Sequence, residues 1–239
     1  MSGHTSSHTA SEFHLVPETR IGFWFLGTRT WTERVITVAL RDLVRLIPER
    51  RPAYPAVLDV GCGQGKSFRP LIECFAPQRI IGVEADRRCL QLARAEAAQE
   101  ATPIELHHGD VSAMGIPDAS VDLVFCHQTF HHLLRQEAAL REFHRVLRPG
   151  GVLLFAESTR AYIHSWIIRL FFRHPMHLQR SAQEYMAMIR DQGFRFSAQN
   201  VSMPYLWWSR ADLGALEWLG FGVPVEREET LINLAAVKP

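Results

Sequence analysis

Hydrophobic and polar positions alternate in a regular way between residues 56 and 157, where short apolar runs are followed by amphipathic stretches. A short apolar run bounded by turn residues is typical of a buried strand, and apolar residues three or four positions apart are typical of a helix packed on one face. Strands that alternate with helices in this way form βαβ units. The pattern therefore predicts an α/β fold, with a doubly wound, mostly parallel seven-stranded sheet and helices on both of its faces.

The pattern also predicts where each element lies. The predicted strands are 57–60, 79–84, 104–108, 121–126, 151–157, 194–203 and 231–237. The predicted helices are 67–75, 86–99, 131–147 and 182–191. Gly193 follows the last of these helices in the position of a C-cap, which supports its end point.

The N-terminal part of the chain and two internal segments depart from this pattern. Residues 1–16 are polar and rich in Ser, Thr and His, and they predict a disordered tail with no signal peptide. Residues 17–55 predict an N-terminal helical cap segment and a proline-containing linker, so that the main domain spans 56–239. Two aromatic-rich insertions interrupt that domain, at about 158–180 and 204–228. None of these segments has the apolar length that a membrane span requires.

Composition and charge narrow the class of protein. The 239 residues are 47% hydrophobic, which fits a globular chain. The 26 Lys and Arg residues balance the 25 Asp and Glu residues, so there is no basic excess to indicate a nucleic-acid partner. The four cysteines contain no C-x-x-C pair, which favours reduced thiols and a cytoplasmic location.

A glycine-rich loop follows the first predicted strand, as Asp59-Val60-Gly61-Cys62-Gly63-Gln64-Gly65. A Walker A loop ending at Gly65-Lys66-Ser67 would need a glycine at position 60, which is valine. A dinucleotide fingerprint would need its third glycine at position 66, which is lysine. The remaining pattern is G-x-G-x-G with an acidic residue two positions ahead of it.

This third pattern resembles the first motif of the class I S-adenosylmethionine-dependent methyltransferases, and the resemblance continues in order along residues 56–157. It is closest to the broad type 11 branch, which acts on small molecules. The further segments that match are Glu84, Gly109-Asp110-Val111, Asp122-Leu123-Val124-Phe125 followed by Phe130-His131-His132-Leu133, and Leu147-Arg148-Pro149-Gly150-Gly151. The resemblance implies a Rossmann-like methyltransferase fold with S-adenosylmethionine as the cofactor.

The resemblance also implies which residues bind that cofactor. Glu84 would accept hydrogen bonds from both ribose hydroxyls, and Asp110 with Val111 would contact the adenine. Asp59 would contact the cofactor's ammonium group or order the amides of the glycine loop. The full set of implied cofactor residues is Asp59, Gly61, Cys62, Gly63, Gly65, Glu84, Ala85, Asp110, Val111 and His127. The glycines are also compatible with a tight turn alone, and Asp110 with a helix cap alone.

Three histidines follow the fourth predicted strand, where ligands of such sheets bind. His127 and His131 are candidate general bases for an oxygen or nitrogen nucleophile, and their spacing of four could place them on one helix face. A structural role at a helix start is the alternative. No third ligand lies at a suitable spacing, so no metal site is predicted.

The cap segment and the two insertions carry more large apolar side chains than core packing of a small cover requires. We therefore predict a helical, aromatic-rich substrate cover and an apolar acceptor, aromatic or lipid-like. The candidate substrate residues are Trp24, Trp31, His132, Trp166, Tyr205 and Trp208. The alternatives are methylation of a protein or nucleic acid, and a non-catalytic S-adenosylmethionine-binding partner protein. Peripheral contact of residues 163–172 with a membrane is a further alternative, and the oligomeric state stays open.

Overall fold

The computed structural model describes residues 18–204, 220 and 229–239, apart from the side chains of Trp166 and Ile167. The predicted disordered tail lies outside these residues. So does almost all of the second insertion, including the candidate substrate residues Tyr205 and Trp208.

Seven strands form one sheet in the order β3-β2-β1-β4-β5-β7-β6. Each of the neighbouring pairs from β3 to β5 is parallel, and β7 runs antiparallel to both β5 and β6. This arrangement confirms the predicted α/β class and the mostly parallel seven-stranded sheet. The strands are β1 Ala56–Val60, β2 Arg79–Glu84, β3 Ile104–His108, β4 Val121–His127, β5 Leu147–Ser158, β6 Val201–Ser202 and β7 Leu231–Val237.

The helices cover the sheet and its rim. A π-helical turn, Trp31–Ile36, runs directly into α2, and short 3-10 turns precede α5, α8 and β6. The helices are α1 Arg20–Leu26, α2 Thr37–Leu46, α3 Phe68–Phe75, α4 Arg87–Ala97, α5 Gln136–Val146, α6 Arg160–Ile163, α7 Trp166–Phe171 and α8 Ala182–Asp191. Among the described residues, no helix is long and apolar enough to cross a membrane.

Two apolar cores lie on opposite faces of the sheet, because successive strand residues point to opposite sides. Leu58 faces the core that α5 and α8 cover, whereas Val57 faces the core that α2 and α3 cover. α2 is therefore a layer of the main domain rather than a separate cap, and its Leu40 and Leu43 are fully buried. With both faces covered, ligands reach the sheet at the carboxyl ends of its parallel strands.

The helix predicted over 131–147 is wrong at its start, because the helix in the structure begins five residues later. Phe130–His132 is a 3-10 turn, and α5 starts only at Gln136. The amides of Thr129 and Phe130 donate to the Glu157 carboxylate on β5, which holds the turn against the sheet. His127, at the end of β4, and His131, in the turn, therefore do not share a helix face.

The predicted strand 194–203 is also mostly wrong. Only Val201–Ser202 pairs with β7, beyond an isolated bridge from Arg195 to Val237. The side chains of Ser197 and Asn200 cap a 3-10 turn between them, and Asn200 donates to the Leu46 carbonyl. These local hydrogen bonds compete with the sheet for the backbone of this segment.

Candidate active site

The glycine loop connects β1 to α3, and its three glycines serve different purposes. Gly61, Gly63 and Gly65 all have positive φ, at 66°, 54° and 79°. A Cβ on Gly61 would collide with the Thr129 side chain, and one on Gly65 would lie 2.6 Å from the Phe68 ring. A Cβ on Gly63 would meet no described heavy atom within 4 Å. Gly61 and Gly65 thus permit close packing, whereas Gly63 borders open space in the cleft that this loop lines.

Glu84 ends β2 at the floor of the same cleft, and it is buried. Its Oε2 accepts from the Gly63 amide and its Oε1 from the Asp86 amide, each at 2.8 Å. Burial raises the pKa of Glu84, while those two amide hydrogen bonds act in the opposite direction. A carboxylate has about four acceptor positions. Glu84 therefore orders the loop and keeps capacity for two hydroxyl donors such as those of a ribose.

Asp59 is buried in β1 and borders the cleft, but it does not order the loop amides as one alternative predicted. Its carboxylate instead accepts a short hydrogen bond from the hydroxyl of Ser67, at the start of α3. Burial raises the pKa of Asp59 to about 7, and the nearby Glu84 carboxylate adds to the rise. A cationic group beside Asp59 would reverse that effect by favouring its charged form.

Asp110 lies on the far side of the cleft, in the turn after β3. Its Oδ1 accepts from the amide and hydroxyl of Ser112, and its Oδ2 lies 2.6 Å from Arg135 Nη2. Burial opposes ionisation there, yet these partners hold the pKa of Asp110 below its usual range. Asp110 thus caps its own turn. The neighbouring implied residues Ala85, Val111 and Cys62 also line the cleft.

His127 ends β4 at the point where the cleft meets a second cavity. Its ring stacks on Phe125 with centroids 5.7 Å apart, and the Trp31 ring lies 5.5 Å away. His127 borders both spaces, as does Trp31. Of the two candidate general bases, His127 is thus the one that borders the cleft along the glycine loop.

His131 is held by a buried carboxylate that the sequence reasoning overlooked. Its Nδ1 lies 2.6 Å from Oε2 of Glu157, and both side chains are almost fully buried. Glu157 follows an apolar run in β5, and a carboxylate at the end of a buried strand was the available signal. His131 borders the second cavity.

No metal site was predicted, because the sequence showed no third ligand at a suitable spacing. In the structure a further histidine lies beside His131 and His132. His174, from the first insertion, lies with its ring 5.1 Å from that of His131 and 4.7 Å from that of His132. Burial lowers the pKa of His132 well below 6.5 and that of His174 to about 3. Glu18, also missed, lies 3.6 Å from His132, and burial raises its pKa to about 7. Only the folded chain brings His174 near, so spacing gave no signal for it.

A second cavity lies beside the cleft, lined in part by the N-terminal segment and the first insertion, which are two of the three segments predicted to form a cover. α1, the π-helical turn and the first insertion line it, mostly with aromatic and aliphatic side chains, and Trp24 and Trp31 are among them. α1 is tied to the glycine loop, since Gln64 Nε2 donates to the Phe23 carbonyl at 2.7 Å. The two spaces share lining residues: Glu18, Leu26, Trp31, His127, Gln128 and His132. Trp166 lies in α7, and its side chain is outside the described set.

Comparisons with known proteins agree with this geometry. A Methyltransferase domain family model of type 11 matches residues 58–155, which span β1 to β5. A protein of Encephalitozoon cuniculi with a methyltransferase name is 31% identical, over 58% of this chain and 70% of that protein. This chain belongs to the class I S-adenosylmethionine-dependent methyltransferases.

Two further proteins are similar to this chain, one in sequence and one in structure. The trans-aconitate 2-methyltransferase of Azoarcus sp. is 37% identical, over 49% of this chain and 44% of that protein. The structure of a SAM-dependent methyltransferase from Aquifex aeolicus has a TM-score of 0.62 at 18% identity, covering 91% of this chain and 97% of that one. The latter likeness shows the fold.

The similarity to the curated relatives is partial in length. The chain spans 38–44% of the length of the first three such relatives. The family's cofactor is S-adenosylmethionine, and the residues present fit it, because Gly63 leaves space along the loop and Glu84 keeps acceptor capacity. Asp59, Gly63 and Glu84 would hold it. The acceptor does not follow from these relatives.

Replacing Glu84 with alanine is expected to weaken binding of S-adenosylhomocysteine by about 1.5–3 kcal/mol, or ~10–150-fold, because a charged acceptor of two hydroxyls is lost. Calorimetry measures this affinity. Glu105→Ala, at an exposed carboxylate on the adjacent strand β3, is the control and should leave the affinity unchanged. Equal affinity of the Glu84→Ala protein and the wild type would remove Glu84 from the site.

Valine at Gly63 should impair cofactor binding, whereas valine at Gly61 should impair stability. Gly63→Val is expected to fold, at a strain of about 1–3 kcal/mol for positive φ, and to lose cofactor binding because its side chain enters the cleft. Gly61→Val should chiefly destabilise the fold by collision with Thr129. Denaturant unfolding and calorimetry separate the two. Normal S-adenosylhomocysteine affinity in Gly63→Val would show that the loop is only a turn.

Affinity for S-adenosylhomocysteine is expected to rise between about pH 5.5 and 7.5, where Asp59 loses its proton. The reason is that the carboxylate form attracts the ligand's ammonium group, while the protonated form does not. Asp59→Asn should make this rise shallower, leaving the part that Glu84 contributes. Asp191→Asn, at an exposed helix end, is the control. A slope unaltered by Asp59→Asn would exclude Asp59 as the ammonium partner.

Proposed function

We propose that this protein transfers a methyl group from S-adenosylmethionine to an apolar small-molecule acceptor bound in the second cavity. The supporting observation is the continuity of the two spaces, which share Trp31, His127 and His132 in their linings. A cofactor held along the glycine loop supplies an electrophilic methyl group. The shared lining is where an acceptor and that group would meet.

Positioning is the chain's main contribution to such a reaction. Holding the reactants close and aligned is worth about 7–11 kcal/mol in favourable cases. The ring of Trp31, packed against His127 and Phe25, forms a wall at the junction. The hydrogen bond from Gln64 to the Phe23 carbonyl holds α1 against the loop, and in this proposal α1 helps to exclude water from the junction. An alternative nucleophile such as water is thereby kept away from the methyl group.

His127 is the residue that takes a proton from the acceptor in this proposal. It stands at the carboxyl end of β4, between the cofactor cleft and the acceptor cavity. Stacking on Phe125 fixes the plane of its ring. His131 is less suited to this role, because its Nδ1 is engaged by Glu157 and it borders only the acceptor cavity.

The lining of the second cavity supports an apolar acceptor. Its described walls include Phe25, Ile163, Phe171 and Phe172, with no lysine or arginine among the described lining residues. The Azoarcus relative is named for trans-aconitate, a polyanion that would need cationic partners. An apolar acceptor, aromatic or lipid-like, suits these walls better.

The described cysteines are free thiols, and a cytoplasmic location remains our expectation.

The function is tested with the purified chain, methyl-labelled S-adenosylmethionine and a cell extract divided into organic-soluble and water-soluble fractions. Label is expected in an organic-soluble small molecule, with S-adenosylhomocysteine formed in equal amount. Gly63→Val is the inactive control. Label confined to water-soluble anions, protein or nucleic acid would overturn the proposed acceptor, and no turnover with intact cofactor binding would indicate a non-catalytic protein.

Phe172→Ala tests the cavity itself, because Phe172 borders the acceptor space and not the cofactor cleft. The loss of this apolar wall is expected to raise the acceptor's KM by roughly 10- to 100-fold and leave S-adenosylhomocysteine affinity unchanged. Leu170→Ala, at a side chain 65% exposed in the same segment, is the matched control and should change neither. An unchanged KM in Phe172→Ala would place the acceptor elsewhere.

A further inference from the structure

Three imidazoles converge at the side of the acceptor cavity, in a group that we call the histidine cluster: His131, His132 and His174. One ring nitrogen from each lies within 4.8 Å of the other two. The ring centroids of His131 and His132 are 4.2 Å apart. The three imidazoles come from a turn after β4 and a loop after α7, and none of them is among the residues that would hold the cofactor, although His132 also borders its cleft.

The environment of His131 is typical of a metal-ligating histidine. Its Nδ1 hydrogen bonds to Glu157, which leaves Nε2 as the nitrogen for an ion. Glu157 is itself fixed by the amides of Thr129 and Phe130, at 2.8 and 2.7 Å. A carboxylate that orients a histidine through its second nitrogen is the usual outer shell of a zinc site. The carbonyl of His131 also accepts from Gln179, which fixes the backbone of the turn.

A buried carboxylate beside the cluster supplies an independent observation. Glu18 Oε1 lies 3.6 Å from His132 Nε2, while Glu18 Oε2 is buried and has no hydrogen-bond partner in the described structure. A buried carboxylate oxygen without a donor is costly. No lysine or arginine among the described residues lines this cavity to neutralise it. A bound cation would supply the missing partner.

We propose that the histidine cluster binds a divalent first-row transition ion, zinc above all, with Glu18 beside the fourth position. Imidazole nitrogens favour zinc, cobalt and nickel over magnesium or calcium, which prefer oxygen ligands. Zinc bonds to imidazole at about 2.0–2.1 Å, so the three nitrogens, which lie within 4.8 Å of one another, would draw together to roughly 3.3 Å on binding. Three histidines with an open fourth position are a known donor set for zinc that contacts an exogenous ligand.

The open position of this site borders the acceptor cavity, which all three histidines line. An acceptor oxygen that entered the cavity could take the fourth position, where the ion would lower its pKa. That consequence rests on the proposed function. Ion binding does not, because it depends only on residues of this chain and can be measured without cofactor or acceptor.

The test is a titration of the chelator-treated full chain with cobalt(II) alone, followed by displacement with zinc. We expect one tight ion per chain, a visible d–d spectrum of tetrahedral intensity and its loss on zinc addition. His174→Asn should weaken binding about 100-fold or more, since even outer-shell changes cost 10–100-fold. His132→Gln provides a second ligand variant if the first does not fold, as judged by circular dichroism.

His177→Ala is the matched control, because His177 is an exposed histidine three residues from His174. It should bind cobalt as the wild type does. Absence of tight binding by the wild-type chain would overturn the proposal, whatever the variants do. Tight binding retained in folded His174→Asn or His132→Gln, or lost in His177→Ala, would place the ion on other histidines and would overturn it equally.

Discussion

The buried carboxylate of Glu157 organises the catalytic edge of this protein. It is fully buried at the end of β5 and accepts from Cys126 Sγ, the amides of Thr129 and Phe130, and His131 Nδ1. A buried charge costs several kcal/mol unless such donors surround it. Because all of these donors come from the end of β4 and the turn after it, satisfying the charge dictates the path of that turn. The positions of the histidines that follow β4 therefore depend on Glu157 of β5.

The same constraint reaches the cofactor cleft through Thr129. Its amide is held by Glu157, and its hydroxyl lies 3.3 Å from the Gly61 carbonyl. The Thr129 side chain fills the space that a Cβ on Gly61 would need. The absence of a side chain at Gly61 is thus a packing requirement set by the neighbouring strand, and only Gly63 leaves room for a ligand. Glu84 completes the loop by accepting the Gly63 amide.

The strands from β1 to β5 could be predicted from sequence because burial on both faces gives continuous apolar runs with glycine at their ends. The helix predicted from residue 86 was equally visible, and the Asp86 side chain caps α4 by accepting from the Arg88 amide. The helix predicted from residue 131 was wrong at its start, because the residues there form hydrogen bonds with Glu157, which is distant in sequence. The strand proposed from residue 194 failed because Ser197 and Asn200 satisfy the backbone locally. Neither set of hydrogen bonds can be read from the periodicity of hydrophobic residues.

The residues of the candidate site divide in the same way. Those on the loop and strand ends, such as Asp59, Gly63 and Glu84, have positions defined by local spacing, and the structure brings them to one cleft. Glu18 comes from the segment before β1 and His174 from the insertion between β5 and β6, and they meet His132 only because α1 and the first insertion pack over the same edge. No spacing rule relates residues that different covering segments contribute. In a doubly wound fold the sheet edge is therefore predictable, whereas the chemistry added by its cover is a property of the tertiary structure.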